Sequence, residues 1–249
     1  MDQYPKGICR LAVVPMRANA SHEAIMLSQL LFGEHYQVLR QEGEWLEIEV
    51  HFDHSKGWIH QDQHSAISQE YFKQINLSDY KVCTDLSATI FFQKKKVHIV
   101  LGSILPISTN ELFKLEEQIA YNGSSKSLSQ RRDFDFLKEE IKKYDNAPYL
   151  PGGKTPFGID SAGFVQQVFK LCGFKLPRKA VEQKSVGKKV DGVDSLLPGD
   201  IAVDELQDRV YILLEKNVWV GVNEGAVRRL SNHENIDASA VFRRILREA

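Results

Sequence analysis

The sequence has few cysteines, no excess of either charge and no long apolar run, and each absence excludes a class of protein. Its three cysteines, Cys9, Cys83 and Cys172, are widely spaced and form no Cys-x-x-Cys pair. Neither a disulfide framework nor a zinc knuckle is therefore predicted. No apolar stretch approaches the roughly 20 residues of a membrane-spanning helix. No basic segment leads into an apolar one at the N-terminus, so we predict no signal peptide and a cytoplasmic location.

The charges are balanced, with 32 Lys and Arg against 33 Asp and Glu, for a net charge of -1. This balance argues against a protein that mainly coats nucleic acid or an acidic membrane. With 43% hydrophobic residues in 249, the chain is long enough for one large domain or two to three small ones.

The first 65 residues read as short strands separated by turns. Ile8–Val14 is an apolar run, and Tyr36–Arg40 and Trp45–Val50 flank a turn-sized segment that contains Gly43. Apolar and polar residues alternate in the second of these runs, as in a half-buried strand. Lys56–Ile59 adds another strand, and the set predicts a small barrel.

Four short motifs in this region resemble a bacterial SH3-like domain. They are Val14-Pro15-Met16-Arg17, Leu30-Leu31-Phe32-Gly33-Glu34, Gly43-Glu44-Trp45 and Gly57-Trp58-Ile59. Related domains often carry a tyrosine two residues before the Gly-Trp-Ile glycine, where this chain has Ser55. The resemblance implies that residue 55 contacts a ligand.

Residues 66–128 are predicted to form a second, degenerate SH3-like barrel. Ala88–Phe92, Val97–Ser103 and Ile104–Ile107 are strand-like. Asn122–Ser127 is small and polar, so we predict a flexible linker there.

From residue 129 the periodicity becomes helical. One helix is predicted between Asp133 and Pro148, and a second ends at Gly173 as its C-cap. Strands are expected near Ile201, Val210 and Val218, and this order of helices and then strands predicts an α+β domain.

The most informative segment runs from Tyr149 to Gln166 and reads Tyr-Leu-Pro-Gly-Gly-Lys-Thr-Pro-Phe-Gly-Ile-Asp-Ser-Ala-Gly-Phe-Val-Gln. It resembles the active-site segment of NlpC-type cell-wall cysteine endopeptidases, Tyr-Leu-Trp-Gly-Gly followed by Gly-Ile-Asp-Cys-Ser-Gly-Phe-Val-Gln. The likeness extends over residues 130–249, with further matches at Leu176-Pro177-Arg178, Gln183, Gly187 and Leu197-Pro198-Gly199-Asp200.

The resemblance implies an α+β chain of two small SH3-like barrels, residues 1–65 and 66–128, followed by a papain-like NlpC-type domain, residues 129–249. A chain of this organisation resembles the cytosolic γ-D-glutamyl-L-diamino-acid endopeptidases that degrade murein peptides. No cofactor or metal is implied.

The catalytic positions that the resemblance implies are all replaced. The cysteine nucleophile is Ser161 and the serine after it is Ala162. The general-base histidine, which opens a His-Val-Gly-Ile-Tyr-Leu strand in the family, is Arg209, and the third position, also a histidine in the family, is Gly221. A guanidinium keeps its proton at physiological pH and glycine has no side chain, so neither serves as a base.

The retained residues each have two interpretations. Ser161 is either a nucleophile or the N-cap of a helix. Asp160 either caps the same helix or, as the family implies, holds the free amine of a peptide. Arg209 is either a solvated strand end or the ion-pair partner of Asp160 or Asp200.

Histidines and arginines cluster outside this segment. His51, His54, His60 and His64 match no standard metal-ligand spacing, so we predict surface histidines and no metal site. After His98 the only histidine is His233, and nothing in the sequence places it near Ser161. Basic residues near the C-terminus indicate a solvated face or a site for an acidic partner: Arg228, Arg229, Arg243, Arg244 and Arg247.

Three functions follow. The first is a catalytically inactive relative that binds a murein-derived peptide with a free N-terminal L-Ala, or a protein partner. The second is a residual hydrolase that uses Ser161. The third is a protein-interaction scaffold whose cleft is closed and whose SH3-like domains bind the protein partner. We expect no nucleic-acid partner and no membrane span.

Overall fold

The computed structural model describes residues 5–92, 95–105, 120–204, 206–231, 236–237 and 239–246. It divides into two compact units, Met1–Gln130 and Arg131–Ala249. Both units mix helices and strands, so the α+β prediction is confirmed. Among the described residues, no helix has the length and apolar character needed to cross a membrane.

The first unit is built around a seven-stranded antiparallel sheet of order β3-β2-β6-β5-β4-β1-β7. Its strands are β1 (Lys6–Ile8), β2 (Val13–Arg17), β3 (Met26–Leu31), β4 (His35–Glu42), β5 (Trp45–Val50), β6 (Lys56–His60) and β7 (Ser65–Ile67). In β5, Leu46, Ile48 and Val50 are buried while the residues between them are half-buried, which confirms the alternation seen in the sequence.

The prediction of one strand over the apolar run Ile8–Val14 was wrong, because the chain turns between β1 and β2. β1 ends at Ile8 and β2 begins at Val13. Between them, the Cys9 backbone bonds to Glu34 O and Gly33 N at 2.8 Å each. The backbone groups of Cys9 are therefore used by the β3–β4 connection and cannot continue β1.

The rest of the first unit contains one helix and five short strands. They are α1 (Gln69–Leu77), β8 (Lys81–Cys83), β9 (Ser87–Phe92), β10 (Lys95–Val100), β11 (Ala120–Asn122) and β12 (Ser125–Ser127). Helix α1 was not predicted, although its N-cap Ser68 accepts a bond from Tyr71 N at 3.1 Å. The division of residues 1–128 into two barrels stays a prediction.

Two predictions in this part of the chain need comment. The prediction of a flexible linker at residues 122–127 was wrong, because β12 pairs with β8 and Asp85 Oδ2 accepts a hydrogen bond from Ser124 N at 2.6 Å. Of the predicted strand Ile104–Ile107, Ile104 forms a single bridge with Val82. Residues 106 and 107 lie outside the described residues.

The described part of the second unit combines three α-helices with a six-stranded antiparallel sheet of order β15-β20-β16-β17-β18-β19 and a two-stranded hairpin, β13-β14. The elements are α2 (Phe134–Lys142), β13 (Lys154–Thr155), β14 (Gly158–Ile159), α3 (Ser161–Leu171), α4 (Ala180–Gln183), β15 (Lys188–Val190), β16 (Ile201–Asp204), β17 (Arg209–Glu215), β18 (Val218–Asn223), β19 (Ala226–Ser231) and β20 (Val241–Arg244).

Helices α2 and α3 and strands β16, β17 and β18 occur where the sequence predicted them. Asp133 caps α2, and the chain leaves α3 through Gly173 with φ 81°. Strands β15, β19 and β20 were not predicted.

Helix α3 is central, since every one of its residues is buried and it packs on β17 and β18. A separate apolar cluster forms on the sheet from Ala202, Tyr211, Leu213, Trp219, Leu230 and Ile236. The sheet therefore holds the start of α3 rigidly against the first residues of β17.

Candidate active site

The β13–β14 hairpin delivers the chain to the start of helix α3, and its glycines are required by the backbone. Gly152 has φ 77°, a region that favours glycine. A Cβ on Gly153 would lie 2.4 Å from Gly158 O. Gly152 and Gly153 therefore meet demands of the backbone.

Asp160 is the N-cap of α3 and holds the segment together. Its Oδ1 accepts bonds from Gly163 N at 2.7 Å and Arg178 Nη1 at 2.9 Å. Its Oδ2 accepts bonds from Gly152 N at 2.9 Å and Arg178 Nη2 at 2.6 Å. A carboxylate has about four acceptor sites, so all are engaged. The capping interpretation is confirmed, and the amine-binding role stays a prediction.

Ser161 is the first residue of α3, and its hydroxyl bonds to strand β17. Oγ accepts from Val210 N at 2.7 Å and donates to Val210 O at 2.9 Å. The side chain is nearly closed to solvent, with 5% of the residue exposed. The N-cap interpretation of Ser161 was wrong, because the preceding residue supplies the cap and the serine joins the helix to the sheet.

The β17–β18 register explains why the N–H and C=O of Val210 are not paired with strand β18 and can bond to Ser161. The pairing of these strands begins with Tyr211 opposite Gly221 and continues with Ile212 opposite Val220. Val210 lies one residue before this ladder. The Ser161 hydroxyl thus satisfies both peptide groups of a buried residue at the end of the β17–β18 ladder.

Arg209, at the position of the general base, opens β17 and is half-buried. Its Nη1 lies 3.2 Å from Asn223 Oδ1 and 3.5 Å from Tyr211 Oη. Both are neutral groups. Arg209 precedes Val210, the residue to which Ser161 is hydrogen-bonded. The structure therefore brings the backbone of Arg209 close to Ser161.

The predicted pairing of Arg209 with Asp160 or Asp200 was wrong, because both carboxylates are held by other arginines. Arg178 binds Asp160 through two nitrogens. Arg244 binds Asp200 in the same way, with Nε–Oδ1 and Nη2–Oδ2 distances of 2.8 Å. These bidentate pairs are charge-assisted and rigid.

Gly221, at the third catalytic position, lies directly opposite Tyr211. A Cβ on Gly221 would lie 2.6 Å from Tyr211 Cδ1, closer than such atoms can pack. Tyr211 is fully buried, so its ring occupies the space that a side chain at 221 needs. The sequence carried a signal for this, since position 211 is glycine in the family motif, but the sequence analysis did not use it.

Ala162, the residue after Ser161, is 7% exposed and adds no polar atom. In the first unit, Ser55 makes a local turn in which its Oγ and N bond to Asp53 Oδ1 at 2.6 and 3.0 Å. His233, the one imidazole in the sequence of the second unit, lies outside the described residues. The described part of this unit therefore places no imidazole near Ser161.

The described residues contain no group of three or more His, Cys, Asp or Glu that could hold a metal ion. The N-terminal histidines pack instead against rings: His35 stacks on His51 at 5.0 Å and His22 on His60 at 5.5 Å. His64 Nδ1 lies 3.0 Å from a tyrosine hydroxyl, and burial lowers the pKa of this histidine.

The surface prediction for the histidines holds only in part. It holds for His54, with a side chain 66% exposed, whereas His51, His60 and His64 are half-buried.

The C-terminal arginines divide into two groups. Arg228 and Arg229 are exposed on β19, as predicted for a solvated face. Arg243 and Arg244 are half-buried, and they bond to Lys184 O and to the Asp200 carboxylate. Arg247 lies outside the described residues.

Comparisons with known proteins match both units. A sequence model of the NlpC/P60 family matches residues 146–246. A model of the bacterial dipeptidyl-peptidase SH3 domain matches residues 16–63.

Among curated proteins, the chain is similar to the gamma-D-glutamyl-L-lysine dipeptidyl-peptidase of Bacillus subtilis strain 168. The two are 27% identical over 217 residues, which cover 79% of this chain and 70% of that protein. The enzyme of the same name from Bacillus cereus is 23% identical over 201 residues, 70% of this chain and 58% of its own length.

A solved structure of an NlpC/P60 family protein from Bacillus cereus has the same fold. Its TM-score is 0.78 at 17% sequence identity, and the match covers 96% of this chain and 99% of that one. At this identity the likeness establishes the fold alone.

Proposed function

The chain belongs to the NlpC/P60 family and carries a bacterial SH3 domain before its NlpC/P60 domain, and from this premise we propose that it binds a murein-type peptide without cleaving it. The family's chemistry needs a nucleophile, a base that takes the proton from it and a group that orients the base. Each of these three positions is replaced here, by Ser161, Arg209 and Gly221.

The observation that carries the proposal is the double hydrogen bond of Ser161 to Val210. A serine attacks a carbonyl only when a base removes its proton. Here that proton points to a peptide carbonyl 2.9 Å away, while the oxygen accepts a peptide N–H at 2.7 Å. A peptide carbonyl is not a base in this sense, and the geometry uses Ser161 as a structural link.

The residues that remain support a binding role. Similar proteins are named gamma-D-glutamyl-L-lysine dipeptidyl-peptidases, so a peptide of this type is the ligand we propose. Asp160 is retained with its carboxylate 20% exposed. Because its acceptor sites are engaged within the protein, we propose that its negative charge, and not a further hydrogen bond, attracts the free N-terminal amine of the ligand. We propose Ala162 as a further contact in the NlpC/P60 domain and, independently, Ser55 as a ligand contact of the SH3 domain. A cytoplasmic location, where such a peptide would be met after uptake, is also part of the proposal.

The test is a cleavage assay on the full chain with L-Ala-γ-D-Glu-L-Lys, with products separated by chromatography and identified by mass. We expect no product above the protein-free background. Ser161→Cys is the matched variant, and it should stay inactive because the thiol still has no base. Turnover by the unchanged protein that disappears in Ser161→Ala would refute the proposal and support a serine hydrolase.

A further inference from the structure

We infer that Arg209 makes this site selective for a carboxylate, so that the chain binds a peptide ending in a free γ-carboxylate in preference to one in which that group is an amide. The inference rests on the proposed function, because it names the class of peptide bound at the same site. It assigns to the former base position a role in recognition.

The contacts of Arg209 leave most of its guanidinium donors unused. Arginine carries five N–H donors, and here only Nη1 has partners, Asn223 Oδ1 and Tyr211 Oη. In the described part of the chain these two neutral groups are the only side-chain partners of Arg209. The residue is half-buried and opens β17, so its side chain is partly in contact with solvent.

Among the residues that the structure describes, no carboxylate forms an ion pair with this cation. Asp204 lies opposite Arg209 in the β16–β17 ladder. No ion pair of 4.0 Å or less joins them, and Asp204 Oδ1 accepts instead from Gln207 N at 3.0 Å. Asp204 is also fully buried. The other two arginines of this region, Arg178 and Arg244, each bind a carboxylate with two nitrogens.

Arginine recognises a carboxylate far better than an amide. Two parallel charge-assisted bonds form with the two oxygens of a carboxylate, whereas an amide offers one neutral carbonyl oxygen. Hydrolysis of a γ-D-glutamyl bond leaves a γ-carboxylate where the amide was. Replacing a neutral base by a fixed cation therefore changes the preferred ligand from the uncut peptide to its cleaved, acidic form.

The experiment compares two dipeptides by isothermal titration calorimetry on the full chain. L-Ala-D-Glu and L-Ala-D-Gln differ only in a γ-carboxylate and a γ-carboxamide. We expect the acid to bind about ten- to a hundred-fold more tightly, which is the usual range for hydrogen bonds to a charged group. The preference should shrink as NaCl is raised, because part of the site is open to solvent.

Arg209→Gln should remove the preference, because the affinity for the acid falls to near that for the amide. Arg209→Lys should keep part of it, since the charge remains while the paired geometry is lost. Arg228→Gln, an exposed arginine of the same sheet, is the matched control and should bind like the unchanged protein. Thermal unfolding of each variant reports whether it folds. If Arg209→Gln does not fold, the inference is tested by the salt dependence of the acid preference and by the part of that preference that Arg209→Lys keeps.

Three results would each overturn the inference. They are equal affinity for the two dipeptides, no binding of either at millimolar concentration, and an acid preference that survives Arg209→Gln. Failure to bind either dipeptide would also refute the binding role in the proposed function, whereas the other two outcomes refute the inference alone. Cleavage of the amide-linked peptide would refute the inactive assignment. A protein that neither cleaves nor discriminates would refute the role of Arg209 and leave the inactive assignment intact.

Discussion

Removing the Ser161 hydroxyl should destabilise the second unit, because two buried backbone groups lose their partner together. In Ser161→Ala the N–H and C=O of Val210, a fully buried residue, are left unpaired. An unsatisfied buried polar group costs about 1–3 kcal/mol. Alanine recovers ~0.5 kcal/mol as the better helix former. For the two groups together, the net loss in the free energy of unfolding is therefore about 1.5–5.5 kcal/mol.

Native-state hydrogen exchange is the suitable assay, because it reports the second unit separately from the first. The Val210 amide should exchange much faster in Ser161→Ala, and the amides of β16–β18 should show the lower global stability. Ser185→Ala makes the same change at an exposed serine with no side-chain hydrogen bond in the described structure, and it should shift stability by less than about 0.5 kcal/mol. A Ser161→Ala protein as stable as this control, with Val210 exchange unchanged, would refute the structural role of Ser161.

Two further predictions concern the site. Restoring the family's residues with Ser161→Cys, Arg209→His and Gly221→His should not restore cleavage of L-Ala-γ-D-Glu-L-Lys until Tyr211→Gly is added, because the Tyr211 ring occupies the space of a residue 221 side chain. Full activity of the triple variant would show that this ring moves aside. By calorimetry, L-Ala-γ-D-Glu-L-Lys should lose binding on acetylation of its amine or in Asp160→Asn, and a heat indifferent to both changes would contradict the proposed amine contact.

The elements that the sequence predicted well are those with strong local signals. The β4–β5 hairpin has alternating residues around Gly43, and α2 has a capping Asp133. Strands β15, β19 and β20 were missed. β19 forms a local hairpin with β18 through Glu224 and Gly225, a turn that the strand prediction did not extend across. β15 and β20 pair with each other more than fifty residues apart, a distance that no local pattern reports. For the same reason Asn122–Ser127 was misread, because its pairing with β8 joins residues about forty positions apart.

The sequence alone was enough to predict an NlpC/P60 domain and a bacterial SH3 domain, and to predict that the catalytic positions are replaced, since both predictions depend on residue identity within short motifs. Only the tertiary structure decided what the replacements do. The Ser161 hydroxyl meets Val210 across 49 residues, and Tyr211 closes over Gly221 across a strand pair. Two ion pairs likewise join distant residues: Arg178 binds Asp160 across 18 residues, and Arg244 binds Asp200 across 44. Arg209 is therefore left without a carboxylate partner among the described residues. Contacts of this range depend on how helix and sheet pack, which no local pattern encodes.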